Sequence, residues 1–191
     1  MNAWDEACKA WDRGWSIFPV RRDGSYLLPW KEYQSKRPSV ETLDLWRDQY
    51  PSEGYGVVTG SLSGLLVIDV DMKNGHQGDI ALRELFEPHG GVPVTPVAHT
   101  PSGGFHLYFR YPKGEELRNS ASIIGDGLDI RGEGGMVAGV GSPRGDKFYT
   151  WASGRSPQDV ALPDVPTWLI EHIATARKSQ PVPIVTNADG K

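Results

Sequence analysis

Leu65-Leu66-Val67-Ile68-Asp69-Val70-Asp71 is an apolar run that carries two acids at its end. Its apolar residues are all bulky and aliphatic, as suits a strand, and successive strand side chains point to opposite faces. Asp69 and Asp71 therefore share one face, and Leu66, Ile68 and Val70 line the other. Two carboxylates at i and i+2 repel. At roughly 6 Å and an effective dielectric near 20 the cost is about 3 kcal/mol. An apolar strand gains nothing from such a pair. A divalent cation removes the repulsion, and Mg²⁺ favours sites with one or two carboxylates plus substrate phosphates. The plain alternative is that the strand ends here and the acids are solvated or cap the next turn.

Two further segments carry polar groups inside apolar strands. In Gly103-Gly104-Phe105-His106-Leu107-Tyr108-Phe109-Arg110, the residues Phe105, Leu107 and Phe109 share a face. His106, Tyr108 and Arg110 share the other. The preceding glycines would let a phosphate or base approach the backbone closely. In Gly127-Leu128-Asp129-Ile130-Arg131-Gly132, Asp129 and Arg131 lie opposite Leu128 and Ile130. Taken singly, His106 suits a satisfied sheet histidine, and Asp129 with Arg131 suits a salt bridge. Taken together, the three strands pair an apolar face with a face of catalytic type. Asp69, Asp71 and Asp129 suit two metals, and His106 and Arg131 suit a triphosphate. Such a set fits two-metal phosphoryl transfer.

Outward from these strands, Trp4, Ala7, Cys8 and Trp11 fall at helical spacing, with Gly14 as a stop. Trp15–Val20 reads as a strand, and residues 21–38 as a basic loop. Ser39 caps a helix that runs to Gln49. Tyr55–Thr59 is a strand, joined to the next by a turn at Gly60–Gly64. Asp79–Glu87 reads as a helix. Strands follow at Val94–His99, Phe105–Arg110, Gly127–Arg131, Met136–Val140 and Lys147–Trp151. A closing helix runs from about Pro166 to Arg177. The order predicts an α+β fold with an antiparallel or mixed sheet. Residues 1–178 are expected to form one catalytic domain, and 179–191 a polar linker or disordered tail.

Composition narrows the class. The chain has 191 residues with 20 Lys and Arg against 24 Asp and Glu, a net charge of −4. That length fits one domain or two closely packed lobes. The 23 glycines and 15 prolines show no Gly-X-Y period, and 38% hydrophobic residues with 7 Trp allow a core. The acidic balance, pI ≈ 5.7, argues against a surface coated with basic charge and leaves room for a local basic groove. One cysteine, Cys8, excludes an intramolecular disulfide framework and a Cys-based zinc site. No apolar run approaches a membrane span and no signal peptide opens the chain, so a soluble, cytoplasmic protein is expected.

The chain resembles the bifunctional primase–polymerase family of the archaeo-eukaryotic primase superfamily, from about Ala3 to Trp151. The matching elements come in family order. They are Gly14-Trp15-Ser16-Ile17-Phe18-Pro19-Val20, Lys36-Arg37-Pro38, Gly56-Val57-Val58-Thr59-Gly60 and Val67-Ile68-Asp69-Val70-Asp71. After them come Thr100-Pro101-Ser102-Gly103-Gly104-Phe105-His106-Leu107-Tyr108-Phe109 and Gly127-Leu128-Asp129-Ile130-Arg131-Gly132. The ordered set is the specific signal, above all Ser-Gly-Gly-x-His after D-x-D.

The resemblance implies an N-terminal α/β lobe packed on an RRM-like lobe, with the active site between them. It implies a DNA primase and polymerase of phage or plasmid replication that uses Mg²⁺ or Mn²⁺. By position, Asp69, Asp71 and Asp129 would be the metal-binding acids, and His106 would contact the incoming nucleotide's phosphates. Arg131 and the Ser102, Gly103, Gly104 turn would be phosphate neighbours, with Lys36 or Arg37 a further one. Relatives often have Ser two residues before the histidine, where this chain has Gly104. Relatives often carry a zinc-binding stem, and none is expected here. The implied partners are a single-stranded DNA template, NTP or dNTP, and a helicase domain in a longer protein, with no membrane. Template phosphates would meet Arg21, Arg22, Lys31, Arg110, Lys113, Arg118 and Arg144, and bases would stack on Tyr26, Trp30 and Tyr33. Two other classes stay open. One is a non-catalytic RRM-like module, which needs exposed strand aromatics. The other is a two-metal nuclease.

Overall fold

The computed structural model describes residues 2–178, so the expected tail at 179–191 lies outside the described residues. In chain order the elements are α1 (Ala3–Asp12), β1 (Ile17–Val20), α2 (Val40–Gln49), β2 (Gly54–Val58), β3 (Leu65–Val70), α3 (Gly78–Phe86), β4 (Val97–His99) and β5 (Phe105–Arg110). They continue with β6 (Leu128–Arg131), β7 (Met136–Ala138), β8 (Pro143–Arg144), β9 (Lys147–Phe148), β10 (Thr150–Trp151) and α4 (Thr167–Lys178). The chain is α+β with antiparallel sheets, as the element order predicts.

Local chemistry sets the helices. The Asn2 side chain accepts from the Trp4 N–H at the start of α1, and Ser39 does the same for Thr42 at the start of α2. Trp4, Ala7 and Ala10 recur at three-residue steps and are buried. Gly14 follows at φ +95°, a conformation that ends the helical path cheaply only for glycine.

Three strands form a small sheet in the order β1-β2-β7, and five form a larger one in the order β10-β4-β5-β3-β6. Every pairing in both sheets is antiparallel. β3 is thus flanked on both sides. One face of the larger sheet carries Leu66, Ile68, Val70, Leu107, Phe109, Leu128 and Ile130 against Leu82 and Phe86 of α3 and Leu169 and Ile173 of α4. The opposite face is not polar throughout. Leu65, Val67, Ala98 and Tyr108 join a second core with Trp4, Ile17, Phe18 and Val57 from α1 and the small sheet.

On the expected polar face of β3 and β5, polar groups therefore stand only at the ends, Asp69 and His106 at one and Arg110 at the other. Tyr108, expected beside His106 on a polar face, is 1% exposed and stacks on Trp15 at 6.0 Å. Burying each such aliphatic or aromatic side chain contributes about 1.5–3 kcal/mol, so the two cores clamp β3 from both sides. The polar groups emerge where the small sheet stops covering the larger one.

Several expected strands differ in extent: Trp15–Val20 begins at Ile17, and Met136–Val140 ends at Ala138. The strand at Val94 starts only at Val97, and Val94 is exposed. The Lys147–Trp151 strand splits at Tyr149. β9 pairs with β8, while β10 pairs with β4. The chain changes partners at Tyr149, whose N–H donates to the Ser142 carbonyl.

Candidate active site

Strand pairing sets the site. Asp69 on β3 stands opposite His106 on β5 and opposite Asp129 on β6. Directly opposed residues bring their Cβ atoms to roughly 5 Å. Arg131 lies two residues after Asp129 and hence on its face. Its Nη2 donates to Asp69 Oδ2 at 3.0 Å and to Asp129 Oδ2 at 2.8 Å, and its Nε donates to Asp69 Oδ2 at 3.3 Å. His106 Nε2 lies 3.4 Å from Asp69 Oδ1. The His106 ring is buried, and its Nδ1 has no partner. A buried polar atom without a partner costs about 1–3 kcal/mol, which a ligand oxygen in reach would offset.

Burial alone would raise the Asp69 pKa. The hydrogen bond and charge of His106, then Arg131, outweigh it and pull the carboxyl down to about 2. Asp69 is therefore a carboxylate at neutral pH. Because its folded pKa lies below the ordinary 3.8, its stabilising effect is whole above about pH 4. That effect is lost as pH falls toward 2, and is worth about 2 kcal/mol. Asp69→Asn is expected to remove this acid-sensitive part of the stability. Denaturant unfolding at steps from pH 5 to pH 2 measures it, and parallel profiles for the two proteins would contradict the assignment.

Asp69, His106 and Arg131 line a cleft of about 300 Å³, and Asp129 reaches it through its hydrogen bond with Arg131. Its lining includes the polar side chains of Asp69, His106, Asn119, Arg131, Arg144 and Tyr149. It also includes the largely apolar side chains of Val20, Tyr26, Trp30, Met136 and Ala138. A second groove, lined by Lys31, Glu116, Arg118 and Glu133, meets the cleft at Gly134.

The remaining expected residues divide. Asp71 stands one residue beyond β3, and its carboxylate takes the Lys73 ammonium at 2.9 Å. The Ser102, Gly103, Gly104 turn leads into β5, and Ser102 Oγ lies 3.0 Å from Thr100 Oγ1. A Cβ on Gly104 would stand 2.1 Å from the Val70 carbonyl oxygen, so this glycine admits the chain's own β3. Lys36 and Arg37 are not brought to the cleft. Arg37 donates to the Trp15 and Trp11 carbonyls and lies 4.8 Å over the Trp11 ring. It ties the basic loop to α1, and Lys36 lies beside it in a separate groove.

Of the basic and aromatic loop residues, Arg144, Tyr26 and Trp30 reach the cleft. Arg110 is paired with Asp164 and Arg118 with Glu116. Tyr33 packs edge-on against Trp46, away from the cleft. Its hydroxyl is pushed up to about 12 by burial and then by Glu32.

Sequence reasoning misses three residues at or beside the site. Tyr149 sits with its ring 5.8 Å from that of His106. Asn119 accepts from the Gly132 N–H and so braces the end of β6. Lys73 holds Asp71, and its pKa is raised by that hydrogen bond. Only Lys73 has a signal, a cation two residues after the acid pair. Tyr149 and Asn119 are brought in by long-range pairing.

The donor set fits hard divalent cations. Asp69 and Asp129 each aim an oxygen at one point, where Arg131 Nη2 lies, and carboxylate oxygens are the ligands that Mg²⁺ and Mn²⁺ take. Among the described residues, no group of three or more His, Cys, Asp or Glu side chains is already gathered for a metal.

Residues 7–168 match the family model described as bifunctional DNA primase/polymerase, N-terminal. This chain belongs to that family. The matched span holds every element from β1 through β10, and with them all the cleft residues of the primase/polymerase domain. Membership indicates primase/polymerase activity in DNA replication, of nucleotidyltransferase type, and enzymes of this family generally use divalent metals. No curated protein matches the chain. No helix among the described residues is long and apolar enough to cross a membrane.

Proposed function

We propose that this prim-pol domain is a template-directed nucleotidyltransferase, a DNA primase and polymerase. It adds NTP or dNTP on single-stranded DNA with two divalent metals, in phage or plasmid replication and beside a helicase domain. One observation carries the reading. Asp69 and Asp129 stand opposite one another, with Arg131 and the partnerless Nδ1 of buried His106 beside them. An anion-binding group next to a carboxylate pair is what triphosphate chemistry requires. The order β4-β5-β3-β6 within the larger sheet, with α3 between β3 and β4, supports the RRM-like reading of this lobe.

Asp69, Asp129 and Asp71 would hold the metals, which when bound neutralise the triphosphate and lower the pKa of the attacking 3′ hydroxyl. The residues of the chain supply the rest. His106 Nδ1 and the Arg131 guanidinium donate to phosphate oxygens of the nucleotide. The apolar lining at Tyr26, Trp30 and Met136 takes the base, and Arg144 meets a strand phosphate. The Ser102, Gly103, Gly104 turn, which leads into β5 just before His106, would lie beside the phosphates. No side chain acts as nucleophile, so positioning and electrostatics carry the rate. Lys36 and Arg37 have no part in this scheme.

A primed single-stranded template, incubated with Mg²⁺ or Mn²⁺ and with or without NTP or dNTP, tests the reading. Extension is expected. Shortening of the primer would make the protein a nuclease, and metal-independent binding without either reaction would make it an RRM-like module. His106→Ala is expected to weaken nucleotide binding by about tenfold, the loss of one charge-assisted hydrogen bond. An unchanged affinity in a fluorescent-nucleotide titration would remove His106 from the phosphate site.

A further inference from the structure

All four carboxylate oxygens of the Asp69–Asp129 pair already have partners within the chain. Arg131 Nη2 bridges Asp69 Oδ2 and Asp129 Oδ2. His106 Nε2 faces Asp69 Oδ1, and the Ser122 N–H donates to Asp129 Oδ1 at 2.9 Å. A divalent ion that bridges the two Oδ2 atoms from the point where Nη2 lies takes the place of Arg131. The third acid repeats the arrangement, since Lys73 Nζ occupies Asp71 Oδ1. Both cations are placed to leave. The Arg131 side chain is 31% exposed and lines the cleft, and that of Lys73 is 51% exposed.

We infer that Arg131 is an internal placeholder for the metal: it holds Asp69 and Asp129 together in the metal-free domain, and metal binding releases it to the nucleotide phosphates. Lys73 does the same for Asp71. The inference rests on the metal-dependent polymerase reading and adds a positioning role to it. Two adjacent carboxylates repel, and the bridging guanidinium removes that repulsion without closing the site. The cost is competition. Metal affinity of the nucleotide-free domain is reduced by the fraction of molecules in which Arg131 holds the clamp. The released guanidinium remains tethered two residues from Asp129, on the cleft wall, so metal binding improves the site for a triphosphate.

The test is Mn²⁺ binding to the nucleotide-free domain, followed by the electron paramagnetic resonance signal of free Mn²⁺. Arg131→Gln is expected to bind Mn²⁺ about tenfold more tightly than wild type if the clamp holds nine-tenths of the population. The same variant is expected to bind nucleotide more weakly at saturating Mn²⁺. Loss of the guanidinium charge alone moves the two affinities in these same directions, so the displacement itself is read in wild type. Lys73→Gln is expected to tighten Mn²⁺ binding in the same sense. A second measurement does not depend on the variant's stability. The Arg131 Nε–H resonance of ¹⁵N-arginine-labelled wild type, assigned with Arg131→Lys, is expected to shift on Mg²⁺ addition. Mn²⁺ binding that is no tighter in Arg131→Gln, or an unmoved resonance while Mg²⁺ binds, overturns the placeholder and leaves the polymerase reading standing. Absence of any metal binding to wild type overturns both.

Discussion

Asp129→Asn is expected to lower primer extension by about a thousandfold or more while the domain stays folded. The substitution keeps an oxygen that can accept from the Ser122 N–H, so the local backbone retains its support. It removes one charge from a pair that is otherwise held together by Arg131. Folding thus loses an ion pair and also a carboxylate repulsion, and the two largely offset. Catalysis has no such compensation. A neutral amide is a far weaker ligand for a hard cation, and in the proposed reaction electrostatic stabilisation of phosphoryl transfer is the largest contribution. Removing a single preorganised donor elsewhere costs about a hundred- to a thousandfold in rate, and a metal ligand is worth at least that. Single-turnover extension of a labelled primer, with circular dichroism as the folding control, measures it. A variant that extends at even about a tenth of the wild-type rate, a barrier change near 1.4 kcal/mol, would take Asp129 out of the reacting centre.

Gly104→Ala is expected to destabilise the domain by about 3 kcal/mol, near the upper end for an overpacked site. The methyl would stand 2.1 Å from the Val70 carbonyl oxygen and 3.3 Å from Thr100 Oγ1, and the first of these is backbone. Either β5 moves away from β3 or the turn opens. The adjacent register pairs are Val70 with Phe105 and Asp69 with His106, so a shift here also displaces His106 from Asp69. Nucleotide affinity is expected to fall along with stability. Gly103→Ala serves as the control. Gly103 has φ +93° and open space around it, so its cost is the left-handed backbone alone, about 1–2 kcal/mol. Denaturant midpoints for the two variants separate crowding from backbone preference. Equal midpoints would mean that the close approach at Gly104 is not what demands glycine.

Much of the framework is legible in the amino-acid sequence. The cap at Ser39, the helical spacing of Trp4 and Ala7, and the apolar runs around Ile68, Leu107 and Ile130 all act within one element. What misleads is burial. Val67 and Tyr108 lie on the faces that alternation marks as polar, yet both are buried, because the small sheet and α1 cover that half of the larger sheet. Alternation reports which residues share a face. It does not report what lies above that face. Arg37 shows the same limit, since this basic loop residue is a tie between Trp11 and Trp15. Tyr149 shows its converse. Nothing in Lys147–Trp151 marks it, and it enters the cleft because β9 and β10 pair with different strands.

Local pattern is enough to put Asp69 and Asp71 at the end of an apolar strand, to show that His106 and Asp129 interrupt two others, and to order the set as in a prim-pol domain. Those are properties of single strands and of their succession along the chain. Which acids become neighbours depends on packing across the whole domain. Within a strand, i and i+2 side chains are separated by about 7 Å, whereas directly opposed residues on paired strands approach to about 5 Å. β6 pairs with β3 so that Asp129 faces Asp69, while Asp71 falls beyond the pairing and turns to Lys73. That register joins residues far apart in the chain. It is held by two apolar cores closing on β3 from both sides, a cooperative packing that no local pattern encodes.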